Sequence, residues 1–312
     1  MLAKRSEAVE RVSIHGALSD EHYKTISTFI ETRIGIRLPP NKRSMVEGRL
    51  RKRLKAHNLV DIEEYCNLLF EDGALGDELT HLIDCMTTNK TDFFREPAHF
   101  NILRDNILSD LMALEKGGRG HKFKIWSAAS SIGAEAFTIA MVMDQAIRSD
   151  YPRATFSILG TDISTDVLKQ ANRAIYPTEM IAPVPPEYRA RYCMVARDPA
   201  RKEIRIGPEL RKHVHFKHLN LMDKSYPVEK DFDVIFCRNI LIYFSREIQQ
   251  QVVGHLVSHL RPGGYLILGH SESMAGGDQP DLKQAYPTVF RKKFNNEEQS
   301  QWKRKASRPS AS

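Results

Sequence analysis

Lys122-Phe123-Lys124-Ile125-Trp126-Ser127-Ala128-Ala129-Ser130-Ser131-Ile132-Gly133 passes from alternating apolar residues to a run of small ones. Residues 122–126 read as a short strand, and the small residues after them form a turn that opens a helix over Ala134–Arg148. The same alternation recurs downstream. A strand is expected at Thr155–Leu159, a helix at Ser164–Arg173, and an apolar, buried strand at Phe232–Phe236. A helix then runs over Arg246–Leu260, ended by Arg261-Pro262-Gly263-Gly264, with a further strand at Tyr265–Leu268. Strands alternating with helices predict an α/β fold with a doubly wound, mainly parallel sheet that presents ligands at the carboxyl ends of its strands.

Upstream of this region only helices are expected. Apolar spacing is helical at Tyr23, Ile26, Phe29 and Ile30 and again at Val46, Leu50 and Leu54, and Asp61 followed by Glu64 is a capping-box-like start to the next helix. Gly117-Gly118-Arg119-Gly120 marks the change of pattern as a turn or linker. The expected organisation is an N-terminal extension (1–17), an all-helical N-terminal domain (18–116), an α/β domain (117–294) and a polar, aperiodic tail (295–312) expected to be disordered. Within the second domain, residues 176–216 are rich in proline. Their two short strand-like runs, Tyr192–Val195 and Glu203–Ile206, read as a small antiparallel β insert.

Composition limits the classes of function. The 312 residues are 41% apolar, enough for a sizeable core, and no apolar run approaches the roughly 18 residues a membrane span requires. Met1–Arg11 is interspersed with charge, so neither export nor membrane insertion is expected. Cys66, Cys85, Cys193 and Cys237 form no CxxC pair, which fits a reducing cytoplasm. The net charge of +7 comes partly from Lys42, Arg43, Arg49, Arg51, Lys52, Arg53 and Lys55 and from the tail residues Lys303, Arg304 and Lys305, a pattern that fits a polyanionic or acidic partner.

Several positions carry polar groups where the predicted sheet would present them. The small-residue turn after the first strand allows a nucleotide-like ligand close to the backbone, or is simply a tight strand-to-helix turn. Asp162 ends the second strand and either accepts hydrogen bonds from a ribose or caps the helix near Ser164. The turn has one glycine where a dinucleotide fingerprint has three, which counts against NAD and suits a cofactor without phosphate. His218-Leu219-Asn220-Leu221 and Cys237-Arg238-Asn239 also fall at strand ends, where Arg238 and Asn239 interrupt an apolar segment and either tie loops together or face a ligand. The segment Thr87–Glu96 closes over a site or braces two domains, with Phe93 and Phe94 as core and Arg95 pairing an acid or a carbonyl. No metal is expected at His213, His215 and His218, because His218 falls on the opposite strand parity and no cysteine lies nearby.

Five motifs carry a resemblance. Thr91-Asp92-Phe93-Phe94-Arg95-Glu96, Trp126 to Gly133, Gly160-Thr161-Asp162-Ile163-Ser164, Cys237 to Phe244 and Gly263 to Ser273 resemble, in this order, the CheR chemotaxis methyltransferases, and the similarity runs from about Ser19 to Phe294. The resemblance implies a Rossmann-like methyltransferase domain that binds S-adenosylmethionine and releases S-adenosylhomocysteine. It implies that Asn89, Thr91 and Arg95 approach the methionine end, that Asp162 holds the ribose, and that Asn220 and Leu221 border the adenine. Arg238 and Asn239 would complete the pocket, with Tyr243 near the transferred methyl. The family's Glu-Glu-Pro-Tyr run is here Ala134-Glu135-Ala136-Phe137. If the second glutamate touches the cofactor's amino group, Glu135 keeps that contact; if the first does, Ala134 cannot make it.

The implied reaction is protein-glutamate O-methylation on methyl-accepting chemotaxis receptors. A carboxylate of pKa about 4.3 is already ionised at neutral pH, so alignment and a dry site are needed rather than a general base. Arg95 and Tyr243 are the candidates for orienting the acceptor. The cationic helix Lys42–His57 is expected to select the glutamate-rich helices of the receptor's cytoplasmic domain, and the enzyme is expected to be a cytoplasmic monomer. Two alternatives stand beside this reading: a receptor-docking scaffold with weak or lost catalysis, or a nucleic-acid methyltransferase. Against the latter, Cys237-Arg238-Asn239-Ile240 replaces the Asn/Asp-Pro-Pro-Tyr/Phe run that holds a flipped base, so no nucleic acid is expected.

Overall fold

The computed structural model describes residues 17–114, 120–272 and 279–294. The first sixteen residues, Gly117–Arg119 of the expected linker, Ser273 and the basic tail at Lys303–Lys305 lie outside the described residues. By its contacts the chain divides into a unit ending at Thr87 and another beginning at Thr88.

In the first unit four helices, α1 (Asp20–Ile34), α2 (Arg43–His57), α3 (Ile62–Phe70) and α4 (Leu75–Met86), bury the predicted apolar stripes, including Tyr23, Ile26, Ile30, Val46, Leu50 and Leu54. Ser19 caps α1 by accepting from the His22 N–H, and Asp61 caps α3 by accepting from the Glu63 N–H. The α2 cations, expected as a free surface, divide into two sets. Arg53 donates from Nε and Nη2 to the buried Glu78 carboxylate at 2.5 and 3.0 Å, and Tyr65 donates to the same group at 2.9 Å. Burial alone would raise the Glu78 carboxyl, but hydrogen bonds from Arg53, His57 and Tyr65 hold it below the usual carboxylate range. Arg49 donates to the Met86 carbonyl at the end of α4. These two arginines are therefore structural, because α2 packs on α4 through them, while Arg51, Lys52 and Lys55 stay exposed.

The second unit begins with α5 (Pro97–Ile102), a π-helical turn (Leu103–Ile107) and α6 (Leu108–Leu114). The sequence pattern groups these with the N-terminal helices. Instead, Phe100, Leu103, Ile107, Leu108 and Leu111 share one buried core with Phe123, Ile125, Phe236 and Ile267 of the sheet, because a sheet apolar on both faces needs helices over each.

The alternation after residue 120 is as expected: β1 (Lys122–Ala128), α7 (Ala134–Asp150), β2 (Thr155–Asp162), α8 (Thr165–Arg173), β3 (Ile175–Pro177), α9 (Pro186–Tyr192), β4 (Cys193–Val195), β5 (Glu203–Ile206), α10 (Pro208–Arg211), β6 (Val214–His218), β7 (Phe232–Cys237), α11 (Arg246–His259), β8 (Leu260–Leu268), β9 (Leu282–Tyr286) and β10 (Val289–Lys292). The main sheet has the order β6-β2-β1-β7-β8-β10-β9. From β6 to β8 neighbouring strands are parallel, and β10 is antiparallel to both β8 and β9. The chain therefore moves outward from β1 in one direction, through β2 and β6, and returns to start the other direction at β7. In an open α/β sheet such a reversal leaves a crevice at the carboxyl ends of the flanking strands, which here end at Ala128 and Cys237.

The antiparallel insert exists as the small sheet β3-β5-β4. It is shorter than expected, because Val214–His218 pairs with β2 as the edge of the main sheet. His213 is stacked on Phe156 at 4.3 Å, with Nδ1 3.1 Å from the Phe156 carbonyl, so its ring is used in packing. The Arg261–Gly264 run, expected as the helix terminator, instead lies inside β8. Phe232 pairs with Leu260 but Val234 with Tyr265, and the left-handed backbone of Gly263 (φ +76) absorbs the extra residues. The closing strands β9 and β10 are too short and too polar to stand out in the sequence.

Candidate active site

The crevice is built first by strained backbone. In the loop from β1 to α7, Ala129 (φ 57), Ser131 (φ 50) and Gly133 (φ 85) alternate in the left-handed region, and Phe94, Glu96 and Asn239 from two other segments do the same. Each non-glycine residue held there costs about 1–3 kcal/mol, so neighbouring bonds must hold it. Ser130 N–H donates to the Thr161 carbonyl (2.8 Å), Ser131 N–H to Asp162 Oδ2 (2.8 Å), Ser131 Oγ to the Asn89 carbonyl (2.9 Å) and Tyr176 to the Ile132 carbonyl (2.7 Å). A Cβ on Gly133 would lie 2.8 Å from the Phe216 ring, so this position needs glycine for both space and conformation.

Asp162 is buried and braces two loops, because Oδ1 also accepts from the Ser164 N–H at 2.9 Å. The cap of α8 is Ser164, which accepts from Val167. Leu219 N–H donates to the Asp162 carbonyl and brings the 219–221 turn alongside. There Asn220 Oδ1 accepts from Met222 N–H (3.0 Å), and the buried Leu221 accepts from Tyr226 through its carbonyl.

The second part of the site is an ionic network centred on Arg238, whose side chain is 1% exposed. Its Nη1 donates to Glu135 Oε2 at 3.0 Å, and its Nη2 donates to Glu96 Oε2 at 2.9 Å and to the Arg95 carbonyl at 2.5 Å, while the guanidinium lies 5.3 Å above the Phe100 ring. Glu135, in the first turn of α7, also accepts from Ser127 Oγ at 2.7 Å. Ala134 beside it is fully buried and uses its carbonyl for Thr138, so Glu135 alone of the pair presents a carboxylate here. Burial pushes the Glu135 carboxyl upward against the pull of Arg238. Glu96 is also raised by burial, but hydrogen bonds from Asn239 and Arg238, and the charge of Arg238, outweigh this and hold it at about 2. Asn239 Nδ2 donates to Glu96 Oε1 at 3.1 Å.

The structure thus brings together Glu135, Asp162, Arg238, Asn239 and the backbones of Asn89 and Arg95. The Arg95 side chain is exposed and, among the described residues, donates to the Lys90 carbonyl (3.2 Å), while Phe93 and Phe94 join the core against Tyr176 and Tyr188. Thr91 and Tyr243 are half-buried and are tied to these residues by no side-chain hydrogen bond among the described residues. Tyr243 closes a 3-10 turn (Leu241–Tyr243) just after β7. Sequence reasoning missed Glu96, Glu272 and Ser127. Neither glutamate stands out locally, since Glu96 follows Arg95 and Glu272 follows His270 and Ser271; the cost of an unpaired buried carboxylate appears only once the fold buries them.

His99 lies behind the network, 1% exposed, with Nε2 2.9 Å from Thr288 Oγ1 and Nδ1 3.4 Å from Glu96 Oε2. Burial, and then the Arg238 charge, depress it to about 4, with Glu96 opposing and His270 adding to the depression. Glu96, His99 and His270 set ligand-type atoms within 4.8 Å of one another, yet Glu96 Oε2 already accepts from Arg238 and from the His270 backbone N–H, so this oxygen is committed to the Arg238 network rather than open to a metal. An unfolded histidine takes up its proton near pH 6.5, whereas folded His99 does so only near 4. Between these values the unfolded state binds the extra proton, so stability falls with falling pH, by at most about 3 kcal/mol. Denaturant titrations should find wild type losing ground against His99→Gln between pH 7 and pH 4; a pH-independent difference would exclude neutral burial.

Chemically, the crevice offers carboxylates and a small-residue loop around one guanidinium that is already paired with two of those carboxylates. That suits a ligand with a cationic amino group and ribose hydroxyls and repels phosphate. Comparison with known proteins gives the same direction. Residues 89–290 match the family described as CheR methyltransferase, SAM binding domain, and residues 21–87 match CheR methyltransferase, all-alpha domain. The chain is 39% identical over 259 residues to the chemotaxis protein methyltransferase of Escherichia coli (strain K12), covering 83% of this chain and 86% of the relative. It is 34% identical over 275 residues to the protein of that name from Borreliella burgdorferi, covering 88% and 95%.

Proposed function

Since the chain belongs to the CheR methyltransferase family, we propose that it methylates glutamate side chains of methyl-accepting chemotaxis receptors, giving methyl esters. The observation that carries this reading is the convergence of Glu135, Asp162, Arg238 and Asn239 where the sheet reverses direction. S-adenosylmethionine, when bound, supplies a methyl group activated by its sulfonium charge. Glu135 takes the amino group and Asp162, through its remaining acceptor capacity, the ribose diol. Asn220 and Leu221 border the adenine; Asn89, Thr91 and the Arg95 segment line the methionine end; and Arg238 with Asn239 holds the carboxylates in position. Arg95 and Tyr243 orient the acceptor carboxylate, which is ionised at neutral pH and attacks without a general base.

The partner is the receptor's cytoplasmic helical domain, and the enzyme acts on it as a cytoplasmic monomer. No helix among the described residues is long and apolar enough to cross a membrane. Of the basic helix, the exposed Arg51, Lys52 and Lys55 are the residues available to attract glutamate-rich helices. The test is transfer of labelled methyl onto receptor membranes followed by alkaline treatment. Label released as methanol is expected, with a receptor KM that rises with salt; alkali-stable label would overturn the reading.

A further inference from the structure

The loop after β7 owes its shape to a residue with no part in the roles assigned above. Glu272 is 5% exposed and follows β8 by four positions. Its Oε1 accepts from the Leu241 N–H at 2.7 Å, and its Oε2 accepts from Asn239 at 2.8 Å and from Gly269 at 2.7 Å. These bonds grip both ends of residues 239–241. They hold Asn239 at φ 60, the conformation from which its side chain meets Glu96, and they fix the first residue of the 3-10 turn that carries Tyr243. Gly269 is part of the same clamp: a Cβ there would lie 2.8 Å from both Asn239 Nδ2 and Glu272 Oε2, and 3.0 Å from the Asn239 nitrogen.

We propose that Glu272 is a positioning residue for methyl transfer, setting the backbone of residues 239–241 and through it the aim of Tyr243 and of the Arg238–Asn239 pair. The proposal rests on the functional reading above. Charge-assisted bonds to three amides are strong and directional, and a shift of about 1 Å in a reacting geometry costs on the order of a hundredfold in rate. A carboxylate present only for stability would change the unfolding midpoint and leave the folded enzyme's rate alone.

Glu272→Gln is nearly isosteric but keeps at most two of the three acceptor contacts, since its NH2 must face a donor. In the full chain, at a temperature where circular dichroism finds the variant folded, kcat is expected to fall at least about tenfold with the receptor KM within about twofold, and S-adenosylhomocysteine to bind at least about fivefold more weakly by calorimetry. Gly269→Ala, which pushes on the clamp from the other side, should move both quantities in the same direction. Folded variants with wild-type kcat and wild-type S-adenosylhomocysteine affinity would overturn the proposal, whatever their midpoints. Should the wild-type protein leave no alkali-labile label on receptors, the functional reading falls, and the calorimetric comparison alone still decides the role of Glu272.

Discussion

Arg238→Ala is expected to lower the unfolding free energy by about 3–5 kcal/mol and to abolish S-adenosylhomocysteine binding. Among the described residues the guanidinium is the one cation shared by Glu96 and Glu135, whose side chains are 15% and 14% exposed. Removing it leaves two poorly solvated carboxylates facing each other across an empty space, and it also frees the Arg95 carbonyl and the Phe100 ring face. The large effect is the stranding of charge rather than the loss of a contact, so a compensating change should recover part of it. Arg238→Met combined with Glu96→Gln should be markedly more stable than Arg238→Ala. Denaturant unfolding checks the first effect and calorimetry the second. A loss below about 1 kcal/mol would mean that the network is solvated and contributes little.

Arg95→Ala should do the opposite, reducing methyl transfer by about a hundredfold or more while leaving stability within about 0.5 kcal/mol. Its side chain is exposed and, among the described residues, bonds the Lys90 carbonyl, whereas the structural contact of this residue, from Arg238, goes to its main chain and survives the substitution. The side chain is therefore free to meet an acceptor carboxylate. Arg95→Lys would keep the charge and lose the planar fork, so a partial recovery is expected. Wild-type turnover in purified, folded Arg95→Ala would remove this residue from the mechanism.

Much of the site was legible before any fold was known because small residues, strand ends and an interrupted apolar run are properties of order along the chain. Asp162 and Arg238 stood out on that ground. Glu96 and Glu272 did not: they acquire meaning only when the loops after β7 and β8 and the segment before α5 meet, and their sequence separations from Arg238 and Asn239 carry no periodic signal. The same holds for the basic helix. One-sided charge is visible in sequence, but that Arg53 is used on a buried glutamate and Arg51 is not depends on which face α4 covers.

Order along the chain was enough for the alternation of strand and helix, the small-residue turn at 127–133 and the family to which the motifs point, because periodicity and turn chemistry are local and survive without a partner. Long-range packing settled that α5 and α6 cover the sheet and that β6 leaves the insert to become its edge. It also decided that Asp162 braces two loops, that Ser164 is the cap, and that Glu135 rather than Ala134 presents to the crevice. Those outcomes rest on burial and on pairing between distant residues, where the cost of an unpartnered charge or amide selects one arrangement that no single segment specifies.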